Sequence, residues 1–178
     1  MVRFFRFPIS IVALSTLAAG QPALAQDMSI ADVSAAANAL VTAGGDTRVI
    51  GKRWGRPWHI GIRDPRREDE VVVMIPLENV AVSTSGDYER FFEQDGVRYH
   101  HIINPRTGDS ARELQSVTVI GRDATSTDAL STSVFVLGRE RGMALIDAME
   151  GVDAVLVDSA RPEDEAMRTD IGVSTRQM

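Results

Sequence analysis

The chain has 178 residues, of which 44% are hydrophobic and 25% are charged, and its formal net charge is -6. This composition is ordinary for a globular domain and excludes collagen-like, coiled-coil and wholly disordered chains. The acidic balance argues against non-specific binding to nucleic acid, which needs a basic surface, and the lack of cysteine excludes disulfides, zinc–thiolate sites and cysteine nucleophiles.

The first 25 residues have the pattern of a secretory signal peptide. Arg3 and Arg6 give a positive start, an apolar run covers residues 9–19, and Ala-Leu-Ala at residues 23–25 has the small residues of a cleavage site. The apolar run is shorter than the ~20 residues that span a bilayer. The sequence therefore predicts cleavage after residue 25 and export, which in a bacterium means the periplasm.

The sequence that follows predicts a single α+β domain over residues 26–160, with a mostly antiparallel sheet and packed helices. Alanine-rich residues 29–43 pattern loosely as a helix, and a Gly-Gly-Asp turn at residues 44–46 ends that segment. Alternating and β-branched runs predict strands over residues 47–51, 58–63, 70–77 and 116–121, a hairpin over 91–103 and a last strand over 154–157.

Two helices are predicted where the period of the apolar residues changes. Residues 125–137 have helical spacing and are apolar on most faces after Leu130, which indicates a buried helix, and residues 139–149 form a second helix. The hydroxyl-rich run over residues 83–88 is interpreted as a turn. The polar tail over residues 161–178 is the best candidate for disorder.

Asp128 and Thr132 stand one helical turn apart on the same face of the first predicted helix. Their carboxylate and hydroxyl oxygens are hard ligands that suit Mg²⁺, which commonly binds together with a phosphorylated ligand. Spacing alone favours another explanation, in which Thr125 or Ser126 caps the helix and the helix dipole favours an acid in the first turn. The residues by themselves leave both interpretations open.

Two further segments carry candidate ligand contacts. His100 and His101 precede an Asn-Pro-Arg-Thr-Gly turn, and in a strand their imidazoles point to opposite faces, so they cannot clamp one metal together. Arg106 in this turn could hold a phosphate, or it is simply a solvated side chain. Gly45 and Asp46 lie in the Gly-Gly-Asp turn, where the backbone can approach a ligand closely, although the segment is also a good turn.

Several of these segments occur in the same order in one protein family. The stretches are NALVTAGGD (residues 38–46), WHIGIRDPR (58–66), VAVSTSGDYERFFEQDGVRYHHIINPRTG (80–108) and SVTVIGRDATSTDALSTSVFVLG (116–138). In these stretches, within about residues 36–158, the chain resembles the ApbE family of FAD:protein FMN transferases. The pairing of HHIINPRTG with a downstream DALST is the most specific part of the resemblance.

The resemblance implies a reaction and its ligands. The family splits the pyrophosphate of its substrate FAD and transfers FMN onto a Thr or Ser hydroxyl of an acceptor flavoprotein, a phosphoryl transfer supported by Mg²⁺. Asp128 and Thr132 match the family's Mg²⁺ ligands, which reverses the preference that spacing alone gave. The residues assigned to the flavin nucleotide are His101, Ile102, Gly45, Asp46 and Arg106, and no catalytic residue is assigned. The expected partners are FAD and an acceptor flavoprotein, including one at a membrane.

The chain also departs from the family pattern. Family members are roughly twice as long as the predicted mature chain, and their acidic-Leu-Gly/Ser-x-Ile-Ala-Lys-Gly element has no counterpart here. Asn104 stands where the family usually has Asp. The sequence leaves open a transferase with a shortened site, or one completed by a partner such as a second copy in a homodimer. The alternatives are a non-catalytic periplasmic module that binds flavin or protein, and an internally deleted product that folds poorly.

Overall fold

The computed structural model describes the backbone of residues 10–12, 38–158 and 171–174, and the side chains of residues 38–158. The strands in these residues are β1 (Ser10–Val12), β2 (Ala39–Ala43), β3 (Asp46–Ile50), β4 (Trp58–Arg63), β5 (Val71–Leu77), β6 (Ala81–Gly86), β7 (Phe91–Gln94), β8 (Val97–His100), β9 (Leu114–Gly121), β10 (Asp153–Asp158) and β11 (Ile171–Ser174). The helices are α1 (Ala124–Leu137) and α2 (Arg139–Asp147).

A seven-stranded sheet in the order β1-β2-β3-β6-β9-β10-β11 forms the centre of the fold. Every neighbouring pair in it is antiparallel. β4 with β5 and β7 with β8 form two separate antiparallel hairpins. Helix α1 packs on β6 and β9, and α2 packs on α1 and β10. The predicted α+β class with a mostly antiparallel sheet is confirmed.

Apolar side chains fill the space between the helices and one face of the sheet. Val134 and Phe135 of α1 are fully buried in this core, together with Leu156 of the sheet. A second cluster lies where Leu77 of the β4–β5 hairpin packs on Val82. Because side chains alternate along a strand, this second cluster covers the sheet face opposite the helices. The sheet is therefore buried on both faces near its centre, and each large apolar side chain contributes about 1.5–3 kcal/mol through burial.

Most of the predicted strands and both predicted helices are confirmed, with ends that differ by a few residues. The helix predicted over 29–43 is wrong at its C-terminal end, because Ala39–Ala43 form a strand that pairs with β3. Gly44 and Gly45 make the turn between the two strands with φ of 62° and 103°, a conformation that glycine adopts without strain. Residues 29–37 lie outside the described residues.

The interpretation of residues 83–88 as a turn is wrong for residues 83–86. Ala81–Gly86 form β6, which lies between β3 and β9 near the middle of the sheet. A run of hydroxyl side chains looks like a turn because such side chains compete for backbone hydrogen bonds. Here the hydroxyls bond to other side chains instead, as when Thr84 meets the Thr118 hydroxyl at 2.8 Å. The backbone of β6 is thereby free to pair with its neighbours.

The N-cap of α1 is Asp123 rather than Thr125 or Ser126. Its carboxylate accepts hydrogen bonds of 2.8 Å from both the backbone N–H and the hydroxyl of Ser126. These bonds lower the pKa of Asp123 below its usual range. The first turn of α1 contains no acidic residue, so the capping and dipole explanation for Asp128 is wrong.

The two ends of the chain lie mostly outside the described residues. Ser10–Val12, within the predicted signal peptide, pair with β2, and Ile171–Ser174, within the predicted tail, pair with β10. Cleavage after residue 25 and disorder in the rest of the tail stay predictions. In the described part of the chain, neither helix has the length and apolar character needed to cross a membrane.

Candidate functional site

Hydroxyl groups join the first half of α1 to the sheet beneath it. Ser83 of β6 lies 2.8 Å from the hydroxyl of Thr127, and Ser85 of β6 lies 2.8 Å from that of Ser131. All four side chains are buried or half-buried. The second half of α1 is instead held by apolar packing around Phe135. These four residues, Ser83, Ser85, Thr127 and Ser131, form a polar seam that fixes the position of α1 over β6.

Three of the predicted site residues meet at the edge of this seam. Asp46 begins β3 and is the cross-strand partner of Ser83. Asp128 and Thr132 are exposed on successive turns of α1, and the Thr132 hydroxyl lies 3.0 Å from that of Ser85. Asp46 and Asp128 are near enough for their charges to interact. The fold therefore joins the Gly-Gly-Asp turn to the metal residues predicted on α1.

The electrostatics of this cluster favour a bound cation. Burial raises the pKa of Asp46, the Ser83 hydroxyl opposes this rise, and the negative charge of Asp128 adds to it. Within residues 38–158, neither carboxylate forms an ion pair with a lysine, arginine or histidine. The charge of Asp128 repels that of Asp46, and a divalent cation bound at this cluster would reduce the repulsion.

The donor set fits Mg²⁺ bound with a phosphorylated ligand. Asp46, Asp128 and Thr132 offer hard oxygen ligands. The described residues hold no group of three or more His, Asp or Glu side chains suited to a metal. A protein cage for the ion is thus not built in this part of the chain. Mg²⁺ commonly takes one or two carboxylates from the protein and completes its shell with water and phosphate oxygens.

The residues of the second predicted segment, which begins at the end of β8, differ in burial. His100 is buried and His101 is exposed, as the alternation predicted. The Ile102 side chain is buried in the core with Phe135, so packing is its observed contact. Arg106 is exposed in the turn that follows, where its backbone N–H donates to the Asn104 Oδ1 at 3.0 Å.

The structure joins some of the predicted residues but not all of them. Asp46, Asp128 and Thr132 form one cluster, and Gly45 adjoins it through the chain. In the described residues no hydrogen bond or ion pair links this cluster to His101 or Arg106. Their assignment to a nucleotide stays a prediction.

Sequence reasoning missed the residues that support the cluster. Ser83 and Ser85 are bonded to side chains of α1 that lie more than forty positions further along the chain. The available signal was the β-branched Val80, Val82 and Thr84, because β-branched residues are common in strands. Ser131, which lies between the two predicted metal ligands Asp128 and Thr132, was not assigned a role from the sequence.

A separate cavity of about 270 Å³ lies beside the β7–β8 hairpin. Arginines 66, 98 and 112 line it with Asp87 and His100, and none of the Asp46–Asp128–Thr132 cluster does. Asp87 is buried and accepts two hydrogen bonds of 2.7 Å from Arg66. Arg98 contacts the same carboxylate at 3.5 Å. Asp87 thus links the β4–β5 connection, through Arg66, to the β7–β8 hairpin, through Arg98.

Comparison with known proteins places the chain in a family. The family model described as "ApbE family" matches residues 18–156. A FAD:protein FMN transferase of Treponema pallidum is 39% identical over 150 residues, which are 78% of this chain and 40% of the relative. The FAD:protein FMN transferase of Vibrio cholerae is 44% identical over 114 residues, 62% of this chain and 34% of the relative.

Solved structures agree with the sequence relatives. The ApbE protein of Thermotoga maritima superposes with a TM-score of 0.65 at 46% identity, over 77% of this chain and 42% of that one. The flavin transferase ApbE of Vibrio cholerae gives a TM-score of 0.61 at 34% identity, over 78% and 42% of the two chains. The chain thus spans about 40% of the length of these relatives. By sequence and by fold alike, it belongs to the ApbE family.

Proposed function

We propose that this chain is a Mg²⁺-dependent FAD:protein FMN transferase. The observation that carries the proposal is the cluster of Asp46, Asp128 and Thr132, in a chain whose relatives are FAD:protein FMN transferases. In the proposed reaction a Thr or Ser oxygen of an acceptor flavoprotein bonds to the phosphorus of the FMN half of FAD. The pyrophosphate P–O bond breaks, AMP leaves, and the hydroxyl proton passes to solvent.

Each residue of the cluster has a part in this proposal. Asp128 and Thr132 hold Mg²⁺, and the half-buried Asp46 supplies a second carboxylate. Mg²⁺, when bound, neutralises charge on the pyrophosphate as its P–O bond breaks. The polar seam holds α1 on β6, the strand that pairs with β3, and so positions both carboxylates before the ligand arrives.

The remaining predicted residues would hold the nucleotide. Gly45 has no side chain, and the one atom near the position that its Cβ would take is the backbone carbonyl oxygen of Thr84, at 3.7 Å. This leaves room for a ligand beside Asp46. His101 is exposed and Arg106 offers a guanidinium suited to phosphate. Ile102 orders the same segment through its packing in the core.

A second candidate function follows from the fraction of its relatives' length that the chain spans. Because it covers about 40% of its relatives, it could bind flavin without transferring FMN. A second copy of the chain, in a homodimer, could complete the site. The proposed location is the periplasm, from the predicted signal peptide, and the proposed acceptors include flavoproteins at a membrane.

The test is the intact mass of an acceptor domain that a full-length ApbE relative is able to modify. The acceptor is incubated with this chain, FAD and Mg²⁺, and parallel samples use Asp128→Asn and Asp69→Asn. Asp69 is a matched control because it is an exposed carboxylate in the β4–β5 connection. We expect the acceptor to gain the mass of one FMN with the wild type and with Asp69→Asn. Transfer by Asp128→Asn should fall by at least about 100-fold.

The outcomes separate the two candidate functions. If the full-length relative modifies the acceptor and this chain does not, the transferase proposal is wrong. Retention of FAD by the chain in that case, with a Mg²⁺-dependent rise in melting temperature, would support the binding module. Equal transfer by the wild type and Asp128→Asn would instead show that the metal assignment is wrong.

A further inference from the structure

Three hydroxyl groups and one backbone carbonyl form a continuous chain beneath the proposed metal site. The Thr132 Oγ1 lies 3.0 Å from the Ser85 Oγ. The Ser85 Oγ lies 2.8 Å from the Ser131 Oγ. The Ser131 hydroxyl donates to the backbone carbonyl of Asp128 at 2.9 Å. The chain thus begins at one proposed metal ligand and ends on the backbone of the other.

Counting protons sets the direction of these hydrogen bonds. A hydroxyl has one proton to donate, whereas a carbonyl oxygen can only accept. The proton of Ser131 is used by the Asp128 carbonyl, so Ser131 accepts from Ser85. The single proton of Ser85 is then used, and the remaining contact requires Thr132 to donate to Ser85.

We infer that Ser85 is a positioning residue for the metal site, which it serves by accepting the proton of Thr132. This contact holds the Thr132 side chain in one rotamer and leaves the lone pairs of its Oγ1 available to a divalent cation. Without it, the Thr132 proton could point toward the cation and repel it. The inference rests on the proposed function, because it takes Thr132 as a Mg²⁺ ligand.

The other hydroxyls of α1 show that the Thr132 contact is not the default for a helix. Thr127 and Ser133 donate to carbonyls of their own helix at 3.0 and 2.7 Å, the usual behaviour of helical hydroxyls. Thr127 also contacts a hydroxyl of β6, that of Ser83, but as the acceptor, whereas Thr132 donates its proton to Ser85.

Burial increases along this chain of hydrogen bonds, from Thr132 through Ser85 to Ser131. Ser131 is 1% exposed, Ser85 is half-buried and Thr132 is exposed. The protons are therefore directed inward, and the lone pairs of Thr132 are not used by this chain of hydrogen bonds.

The test measures binding of Mn²⁺, as a paramagnetic substitute for Mg²⁺, by electron paramagnetic resonance with and without FAD. Residues that orient metal ligands change metal affinity by about 10–100-fold when they are replaced. We expect Ser85→Ala to weaken Mn²⁺ binding by about 10-fold. Ser85→Thr keeps the hydroxyl and should bind Mn²⁺ about as tightly as the wild type. Ser131→Ala should also weaken binding, because the Ser85 proton would then turn toward Thr132.

Thr84→Val is the matched control. Thr84 is the neighbour of Ser85 on β6 and loses an equivalent hydroxyl bond of 2.8 Å to Thr118, but on the opposite face of the sheet. It should lose stability as Ser85→Ala does and bind Mn²⁺ like the wild type. Urea unfolding of each variant confirms that it is folded.

The result that overturns this inference differs from the one that overturns the proposed function. If the wild type binds Mn²⁺ and the folded Ser85→Ala and Ser131→Ala variants bind it as tightly, Ser85 does not position Thr132, and the metal site stands. If the wild type binds no Mn²⁺ with or without FAD, the metal site itself is wrong and the inference falls with it. Equal weakening by Thr84→Val would also overturn it, because the effect would then be a general loss of stability.

Discussion

His100 and His101 are neighbours in sequence with opposite surroundings. The His100 ring donates from Nε2 to the Ala111 carbonyl at 2.7 Å and accepts at Nδ1 from the Ile102 N–H at 3.3 Å. Its edge packs against the ring of Phe135. Burial lowers the pKa of His100, and the bond to Ala111 only partly opposes this. The neutral imidazole is thus part of the core, while His101 is exposed to ligands.

Stability should depend on pH through His100. Because its pKa in the folded chain is lower than the ordinary 6.5, the unfolded chain takes up the proton first as the pH falls. The stabilising contribution is complete above about pH 6.5 and is lost as the pH falls through the lower folded value. We expect the urea midpoint to decrease from about pH 7 to about pH 5.

The control for this prediction is the exposed neighbour. In His100→Gln the urea midpoint should fall less as the pH is lowered, because glutamine keeps a donor for the Ala111 carbonyl and has no proton to gain. His101→Gln should keep the wild-type dependence. An unchanged slope in His100→Gln would assign the pH dependence to other groups.

Helix α1 is held by two kinds of contact along its length. Its first half bonds to β6 through hydroxyls, and its second half packs through Val134 and Phe135. Helix α2 follows after Gly138 and approaches α1 closely at Gly142. A side chain at Gly142 would begin 2.7 Å from a methyl carbon of Val134 and 3.1 Å from its carbonyl oxygen. The close packing of the two helices therefore depends on a missing side chain.

Gly142→Ala should destabilise the domain although alanine favours helix. The gain in helix propensity is about 1 kcal/mol, and overpacking of a close contact costs about 1–3 kcal/mol. We expect a net loss of up to about 2 kcal/mol, measured by urea unfolding. In a Val134→Ala background the same change should cost less, because the clashing methyl is gone. A stabilised Gly142→Ala would mean that the helices separate without cost.

The described chain combines a well-packed centre with edge strands from its two ends. β1 and β11 each pair with one strand, at opposite edges of the sheet. β1 lies inside the predicted signal peptide, and the family model begins at residue 18, also inside it. Cleavage after residue 25 would remove β1 and make β2 the edge of the sheet.

Export should be visible in the N-terminus of the protein. When the full chain is expressed in a Gram-negative host, N-terminal sequencing of the periplasmic fraction should begin at Gln26, because residues 23–25 fit the cleavage pattern. A double change, Ala23→Arg with Ala25→Arg, should block processing and leave the precursor. A cytoplasmic protein that keeps residues 1–25 would show that the leader prediction is wrong.

Much of the fold was predictable because its signals are local. The β4 and β5 strands, the hairpin at Asp95 and Gly96 and both helices follow from alternation, turn residues and helical period within short windows. β2 and β6 were missed, since the alanines of β2 favour helix and the hydroxyls of β6 favour turns. β2 is held as a strand by its hairpin with β3, and β6 by β3 and β9, which are distant from it along the chain, and these pairings overrode the local preferences.

The sequence by itself determined the pair of Asp128 and Thr132, because a spacing of four residues on a helix places two side chains on one face whatever the rest of the chain does. It also determined the order of motifs on which the family assignment depends. Only the tertiary structure decided that the charges of Asp46 and Asp128 interact and that Ser85 bonds to Thr132. These contacts join β3 and β6 to α1 across the sheet–helix interface, and no local pattern encodes them, since they arise when burial of the apolar core brings distant segments together.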